Sequence, residues 1–410
     1  MKKGIAQQKQ IRITILAIAL TALLLVGACA PAPTVEKKTV EIGAIWSMTG
    51  AAAATLHMTA MGWEDYIRYF NQQEGIPGVS VKLTWADDAL QYSLFRSHYE
   101  RFVERGIQAI SAHEETGIMG LKERFAKDEV VVCGGEIGYE VLTYPTIAWL
   151  YLTHPTLAEG FAVVAQHFME NWQEERPPKL AFMGIDSPWG YDPIATGTEY
   201  AEGLGFEVLP MEVVPFVTLD ATTQLLRLKS EGADFVYVQG LPVTVGPVLR
   251  DAERLGLLGQ MRFGGHASAM GERVIEMTGT ASEGFLVFRL TPWLSETEYP
   301  GIKLMVDNQM EYHGKVYRES EYDTGWVPAA VVCEAIGGAI ENVGYENLDG
   351  LAIKEAMDSM KGFDIYGLAT VTYNPDDHRG ITRGAVYQVK DGKIVRVSDW
   401  QEVPKLVPEK

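Results

Sequence analysis

Short apolar, β-branched runs alternate with stretches of helical periodicity along most of the 410-residue chain. Val40–Trp46 and Val79–Trp85 are typical of buried strands, and Met58–Phe70 between them is typical of a helix. The same alternation resumes at Lys179–Gly184 and continues as far as Gly284–Arg289. Strands separated by helices of this length predict a doubly wound α/β fold with parallel sheets. Because the units are too many for one sheet, the pattern predicts two lobes.

The last part of the chain has a different pattern. Trp326–Val343 is rich in alanine and glycine, which predicts a closely packed helix. Strands are predicted at Ile365–Tyr373, Ala385–Lys390 and Lys393–Asp399. Asp391-Gly392 separates the last two strands and predicts a tight β-hairpin between them.

The N-terminus has the features of an export signal. Four basic residues precede the apolar run Ile13–Val26, whose length of about 14 residues is short of the roughly 20 that span a bilayer. Val26-Gly27-Ala28-Cys29 resembles a bacterial lipobox. We therefore predict a lipoprotein signal peptide over residues 1–28, lipidation of Cys29 and a Pro-rich tether over residues 29–38. The alternative is an ordinary signal with an incidental cysteine.

Charge and motifs exclude several classes of function. Removing the signal and its four positive charges takes the net charge from −19 to −23, which argues against nucleic acid as a partner. The sequence contains no Walker loop, HExxH, GxSxG or EF-hand motif. We therefore predict no metal, no cofactor and no enzymatic activity. Cys133 and Cys333 are predicted to be buried free thiols rather than a disulfide.

Several segments together resemble the branched-chain amino-acid (Leu/Ile/Val) type of periplasmic binding protein, the solute-binding subunit of ABC importers. Each segment is a weak signal alone, but they cover essentially the whole mature chain. They are the opening strand and its loop, an Asn-and-Gly segment, a D-x-x-W-G turn, a helix–strand unit and a late Gly-Trp helix: Val40–Gly50, Phe70–Gly78, Asp186–Gly190, Asp220–Gly240 and Gly325–Gly344.

The resemblance implies a particular division of the chain and a particular role. The N-terminal lobe would be residues 39–153 plus 290–366, the C-terminal lobe residues 155–289 plus 367–400, and residues 401–410 a tail. Three crossovers would join the lobes, and a small ligand would be held by hinge closure in the cleft between them. The partners would be an ABC permease and ATPase complex, with membrane attachment through Cys29.

The sequence departs from the family where the family holds its ligand. In amino-acid binders of this type, first-lobe hydroxyls hold the ligand carboxylate and a second-lobe acid takes the ammonium. Here the first of these loops reads His113-Glu114-Glu115-Thr116, and the acid position falls near His266. We therefore expect a small amide, amine or aromatic metabolite rather than an ordinary branched-chain amino acid. Glu114 and Glu115 have an open alternative as helix-capping carboxylates.

The candidate ligand contacts lie at predicted strand ends and turns. For Trp46 and Trp326, packing in the core is an equal alternative. Two other functions stay open, a sensor that presents its closed form to a membrane receptor and a true branched-chain amino-acid binder. The predicted ligand-binding residues are Trp46, Glu114, Glu115, Thr116, Gly135, Glu136, Trp189, Tyr191, Gln239, Gly240, Leu241, His266 and Trp326.

Overall fold

The computed structural model describes residues 37–134, 149–374 and 377–406, and the following bounds refer to them. The strands in chain order are β1 (Lys38–Trp46), β2 (Val79–Asp87), β3 (Ala109–Ala112), β4 (Val131–Gly134), β5 (Leu150–Leu152), β6 (Lys179–Ile185), β7 (Glu207–Val208), β8 (Glu212–Val214), β9 (Phe235–Gln239), β10 (Arg262–Gly265), β11 (Leu286–Arg289), β12 (Lys361–Asp364), β13 (Thr370–Thr372), β14 (Arg383–Lys390), β15 (Lys393–Arg396) and β16 (Gln401–Glu402).

The helices lie between these strands. In chain order they are α1 (Ala53–Gln72), α2 (Tyr92–Glu104), α3 (Glu115–Lys127), α4 (Leu157–Glu170), α5 (Pro188–Tyr191), α6 (Ile194–Leu204), α7 (Thr222–Glu231), α8 (Pro242–Arg254), α9 (Glu272–Thr278), α10 (Pro300–His313), α11 (Ser320–Val343) and α12 (Gly350–Asp358).

The first lobe is built on a five-stranded sheet of order β2-β1-β3-β4-β5, in which every pair is parallel. Strands β3, β4 and β5 are fully buried because helices cover both faces, whereas the edge strand β2 is only partly buried. One core joins them to residues from α1, α2, α3, α10, α11 and α12.

The second lobe is built on a larger sheet of order β15-β14-β11-β10-β9-β6-β7, with β8 beside β6 and β16 beside β14. The pairs from β7 to β11 are parallel. β14 joins β11 antiparallel, and β15 joins β14 in the same way. Two apolar clusters cover the two faces of this sheet. The prediction of two doubly wound lobes is confirmed, with an antiparallel extension added to the second sheet.

The third crossing between the lobes lies later than the predicted boundary at residues 366 and 367. Val371, Tyr373 and Ile381 belong to the core of the first lobe. The Tyr373 hydroxyl donates to the Leu152 carbonyl at 2.9 Å, and the His378 ring stacks on Tyr151 at a centroid distance of 4.1 Å. These contacts hold the segment against the edge strand β5, so the chain crosses only between Ile381 and the start of β14.

Helices α1 and α11 approach each other closely, as the small residues of α11 predict. A Cβ at Gly325 would lie 2.0 Å from the Thr59 carbonyl oxygen, and one at Gly62 would lie 2.1 Å from the Tyr322 carbonyl oxygen. Among the described residues, α11 is the one helix that is long and apolar enough by composition to cross a bilayer. Most of its apolar stretch is buried against the first lobe, which is typical of a core helix.

Two local predictions are confirmed. Asp391 and Gly392 have φ values of 51° and 67° and join β14 to β15, as a two-residue hairpin with positive φ at both positions requires. Cys133 in β4 and Cys333 in α11 are buried free thiols. Burial raises the pKa of Cys133 to about 12, so this thiol stays protonated and unreactive.

Candidate functional site

The two large sheets each contain a point where the strand order reverses. In the first sheet β1 lies between β2 and β3, and in the second β6 lies between β7 and β9. Open α/β sheets bind ligands beyond the carboxyl ends of the strands at such points. A cleft of about 330 Å³ lies there, lined by residues that follow β1, β3, β6, β9 and β10. Both lobes therefore contribute to one cavity.

The first wall of the cleft contains the loop that follows β3. His113, Glu114, Glu115 and Thr116 all line the cavity. The Glu114 carboxylate accepts hydrogen bonds from the Thr116 N–H at 3.1 Å and from the Gly117 N–H. Glu114 is therefore the N-cap of α3 and also lines the cleft, so both alternatives that the sequence left open hold for this residue.

Behind this wall lies a buried acid. The Ser47 hydroxyl, which lines the cleft, donates to Oδ1 of Asp88, and the Leu90 N–H donates to the same oxygen at 3.1 Å. The Asp88 side chain is 0% exposed, and its Oδ2 has no hydrogen-bond partner among the described residues. Burial is the main cause that raises the pKa of Asp88. Burial, together with the Asp88 charge, also raises the pKa of Glu114.

The second wall is formed largely by apolar and aromatic side chains. Ile185 at the end of β6 and Pro188 and Trp189 just after it line the cavity together with Phe216 and Leu241. The Ser187 hydroxyl accepts from the Gly190 N–H at 3.1 Å and so caps the short helix that carries Trp189. This cap fixes the turn that presents the indole to the cleft.

Residues at the start of α11 complete the cleft. Glu321 and Thr324 line it, and Glu321 is buried. The sequence prediction missed both because it began this helix at Trp326, whereas the helix begins at Ser320. Acidic residues precede the apolar run, at Glu319, Glu321 and Asp323. Such residues are typical of a helix N-terminus, and they would have moved the predicted start of the helix to before Trp326.

Five of the predicted residues line the cleft in the structure, and several others lie outside its lining. Those that line it are Glu114, Glu115, Thr116, Trp189 and Leu241. Residues that the prediction missed include Ser47, Thr55, Asp186, Phe216, Ser268 and Glu321.

Four predicted residues lie beside the cleft rather than in its lining. Gln239 is fully buried, and its Nε2 donates to the Trp189 carbonyl at 3.4 Å. Gly240 packs against Thr244. Tyr191 is 43% exposed and donates to Asp186 instead of facing the cavity. His266 lines an adjacent cavity, with its ring 5.2 Å from that of Trp189.

Trp46 and Trp326 are core residues, so their prediction as ligand contacts is wrong. Both side chains are fully buried. The indole N–H of Trp46 donates to the Ser111 hydroxyl at 3.1 Å, and its ring lies 6.2 Å from that of Trp63. Trp326 packs edge-on against Tyr66 at 5.2 Å. These large rings fill the space between the first sheet and its helices.

Three other predicted residues lie outside the described residues. These are Gly135 and Glu136 in the loop after β4 and the lipidation site Cys29.

A second, smaller cavity of about 50 Å³ lies at the crossovers. Arg289 donates to Asp323 at 2.6 Å and to the Ser320 hydroxyl at 2.9 Å, and both charged side chains are buried. At the third crossing, Arg379 donates to the buried Glu159 at 2.8 Å. These pairs join residues of different lobes or crossovers, and the crossover region that they hold together is called the hinge below.

Residues 39–393 match the family described as periplasmic binding protein. The chain belongs to that family. Its members are solute-binding proteins, and membership implies an extracytoplasmic location. A Leu/Ile/Val-binding protein homolog from Brucella melitensis is 22% identical, over 93% of this chain and 95% of the relative.

Solved structures share the fold at low identity. A branched-chain amino acid ABC transporter protein from Thermus thermophilus with bound valine is 23% identical and has a TM-score of 0.83, covering 89% of this chain and 97% of the other. A solute-binding protein of an ABC transporter from Rhodopseudomonas palustris, in complex with 3,4-dihydroxybenzoic acid, is 18% identical and has a TM-score of 0.75, covering 90% and 98%. One fold therefore carries chemically different ligands.

Proposed function

We propose that this chain is the extracytoplasmic solute-binding subunit of an ABC importer. It captures a small organic solute, an amide, amine or aromatic metabolite, in the cleft between its lobes. Membrane attachment is through lipidated Cys29, and the loaded form delivers its solute to a permease and ATPase complex. The observation that carries the proposal is the cleft of about 330 Å³ whose walls come from both lobes.

Capture follows from contacts that exist only when the lobes are closed. A solute that touches the loop after β3 and the turn after β6 at once favours the closed form by its differential affinity. Closure removes water from both walls, so a few placed polar groups are enough for specificity. Binding and release need no covalent step.

The ligand class is argued from the acidic loop. A ligand carboxylate 4 Å from Glu114 or Glu115 would be repelled by about 4 kcal/mol at an effective dielectric near 20. The residue near the usual ammonium-binding acid is His266, which lines the neighbouring cavity. Both features disfavour an ordinary branched-chain amino acid in the orientation that the family uses.

The test is a thermal-shift screen of the mature chain carrying Cys29→Ser, against amino acids, amides, amines, aromatic acids and short peptides. A solute that binds only the native state raises the midpoint of thermal unfolding as its concentration increases. We expect a shift with a compound that lacks the α-amino-acid group. A shift with leucine or valine alone would contradict the ligand class but leave solute binding in place.

A further inference from the structure

We propose that the ligand site extends past the cleft into the cavity at the crossovers, and that the solute is an elongated molecule with an uncharged, hydrogen-bonding end. This inference rests on the proposed function and narrows its ligand class. The body of the solute lies between the two walls of the cleft. Its uncharged end, a carboxamide or an alcohol, lies in the smaller cavity, which is called the crossover cavity below.

The two cavities are neighbours that share one residue. Thr324, near the start of α11, lines both the cleft of about 330 Å³ and the crossover cavity of about 50 Å³. Ala267 lines the crossover cavity, and the next residue, Ser268, lines the cleft. A solute that reaches Thr324 in the cleft is therefore already at the edge of the crossover cavity.

A contact between two rings forms part of the boundary between the cavities. His266 lines the crossover cavity and Trp189 lines the cleft. The centroids of their rings are 5.2 Å apart, and the rings meet edge-on at an interplanar angle of 82°. Because this part of the boundary consists of side chains, a change of rotamer opens it without moving the backbone.

The crossover cavity is suited to an uncharged group. Apart from two histidines, the charged side chains among its described lining residues are Arg289 and Asp323, which are paired with each other at 2.6 Å. The Arg289 guanidinium also donates to the Ser320 hydroxyl at 2.9 Å. A charged end of a solute would have to compete with this pair for a counter-ion, and burying an uncompensated charge is costly. A neutral polar group avoids that cost.

The hydroxyl of Thr324 determines the hydrogen-bonding role of the solute. It donates to the Ser320 carbonyl at 3.2 Å within α11, so its proton is already donated to the backbone. A hydroxyl oxygen also has two lone pairs, so Thr324 offers an acceptor at the junction of the cavities. The matching group on the solute is a donor, such as a carboxamide N–H or an alcohol O–H. An ester of the same shape lacks this donor.

The size of the crossover cavity limits the end group to a few heavy atoms. A volume of about 50 Å³ is several times the roughly 10–15 Å³ that one water needs. Gly160 of α4 lines the cavity, and a Cβ at this position would meet Phe288 Cδ1 at 3.4 Å, an ordinary van der Waals distance. A larger side chain at position 160 can therefore fill the crossover cavity and leave the cleft unchanged.

Neutral amides of increasing length test the extended site. The probes are benzamide, phenylacetamide, 3-phenylpropanamide and 4-phenylbutanamide. The acid, amine and methyl ester of the same chain length are the controls for the end group of each. We expect calorimetry to show that a longer amide binds at least about tenfold more tightly than benzamide and than its own three counterparts. Equal affinities along the series, or tighter binding of a charged end group, overturn the extended site and leave the proposed function standing.

A variant that fills the crossover cavity separates the two parts of the site. Gly160→Leu should weaken binding of the best long amide by about tenfold or more and change benzamide binding by less than about twofold. Gly203→Leu is the matched control, because Gly203 is an exposed helical glycine of α6 outside both cavity linings. An equal loss for long and short probes in Gly160→Leu would show a disturbed hinge and overturn the proposal.

A second variant tests the hydrogen-bonding role of the junction. Thr324→Val keeps the shape of the side chain and removes the acceptor, so the preference for the amide over its methyl ester should disappear. A preference that is unchanged in this variant overturns the role of Thr324.

The solute screen decides the case in which the amides do not bind. If the thermal-shift screen gives another solute, a loss of affinity of about tenfold in Gly160→Leu supports the extended site, and an unchanged affinity overturns it. If neither the amides nor any compound of the screen binds, the proposed function itself is contradicted.

Discussion

The hinge and the ligand cleft are neighbouring polar regions that differ in the charged side chains they contain. At the hinge, Asp323 is paired with Arg289, and Glu159 is paired with Arg379. In the cleft, carboxyls line the cavity, but none of the described lining residues is a lysine or arginine. A buried charge is costly unless it is paired and hydrogen-bonded.

This difference in charged side chains indicates that acids have a structural role at the hinge and a role in recognition in the cleft. A buried Arg–carboxylate pair has directional geometry, which suits crossover segments that hold two lobes in one arrangement. The cleft carboxyls line a cavity that a solute can enter, and no lysine or arginine is among its described lining residues. On this view the hinge pairs are structural and the cleft carboxyls act in recognition, so substitutions in the two regions should affect different measurements.

The largest effect is expected at the hinge. Arg289→Leu leaves Asp323 buried without its cation, and breaking such a pair from one side costs about 3–5 kcal/mol. The free energy of unfolding, measured in urea, should fall by that amount.

Two further variants sharpen this prediction. Arg289→Leu combined with Asp323→Leu removes both charges and should recover most of the lost stability. Arg96→Leu breaks the exposed pair with Glu100 and should change stability by less than about 0.5 kcal/mol. If Arg289→Leu is as mild as Arg96→Leu, the hinge pair is not structural.

The next effect is expected on binding rather than on stability. Trp189→Leu removes the aromatic surface of the second wall and keeps an apolar side chain on the capped turn. Affinity for an aromatic or amine solute found in the thermal-shift screen should fall by about tenfold, or about 1.4 kcal/mol. Calorimetry measures this loss, and unfolding in urea should show a much smaller change. A loss of stability with unchanged affinity would place Trp189 among the structural residues instead.

The sequence was sufficient for the fold because strand and helix periodicity and a two-residue turn are local signals. The cleft was predicted in part, because strand ends such as those before Glu115 and Leu241 can be located from the pattern. What the pattern could not show is the direction of a side chain at a strand end. Trp46 ends β1 but points into the core, whereas Ser47, one residue later, lines the cleft.

Glu319 is an exception among the carboxyls that join the lobes. It accepts a hydrogen bond from the Arg273 N–H at 3.1 Å, across from α11 to the start of α9, and burial raises its pKa to about 7. A carboxyl whose pKa is raised on folding binds its proton more tightly in the native state. The contribution of Glu319 to the free energy of unfolding is therefore fully present below about pH 4.5. It is lost as the pH rises through about 7, because the native state must then give up this proton.

Glu319→Gln should remove this loss. The amide oxygen can still accept from Arg273, and no charge forms at high pH. We expect the variant to be more stable than the wild type by about 1 kcal/mol at pH 8, after allowing for solvent screening. At pH 4.5 the two proteins should be nearly equal. Urea unfolding at both pH values checks this, and a difference that is the same at both would show that Glu319 does not titrate in this range.

The smallest effect is expected at Tyr191, which the sequence placed among the ligand contacts and the structure places outside the cleft lining. Its hydroxyl donates to Asp186 at 2.8 Å on an exposed surface, so Tyr191→Phe should change stability by less than about 0.5 kcal/mol and affinity by less than about twofold. The comparison with Trp189→Leu, two residues away on the same turn, is informative because only Trp189 lines the cavity. A large loss of affinity in Tyr191→Phe would mean that lobe closure carries this turn further over the solute than the described cleft does.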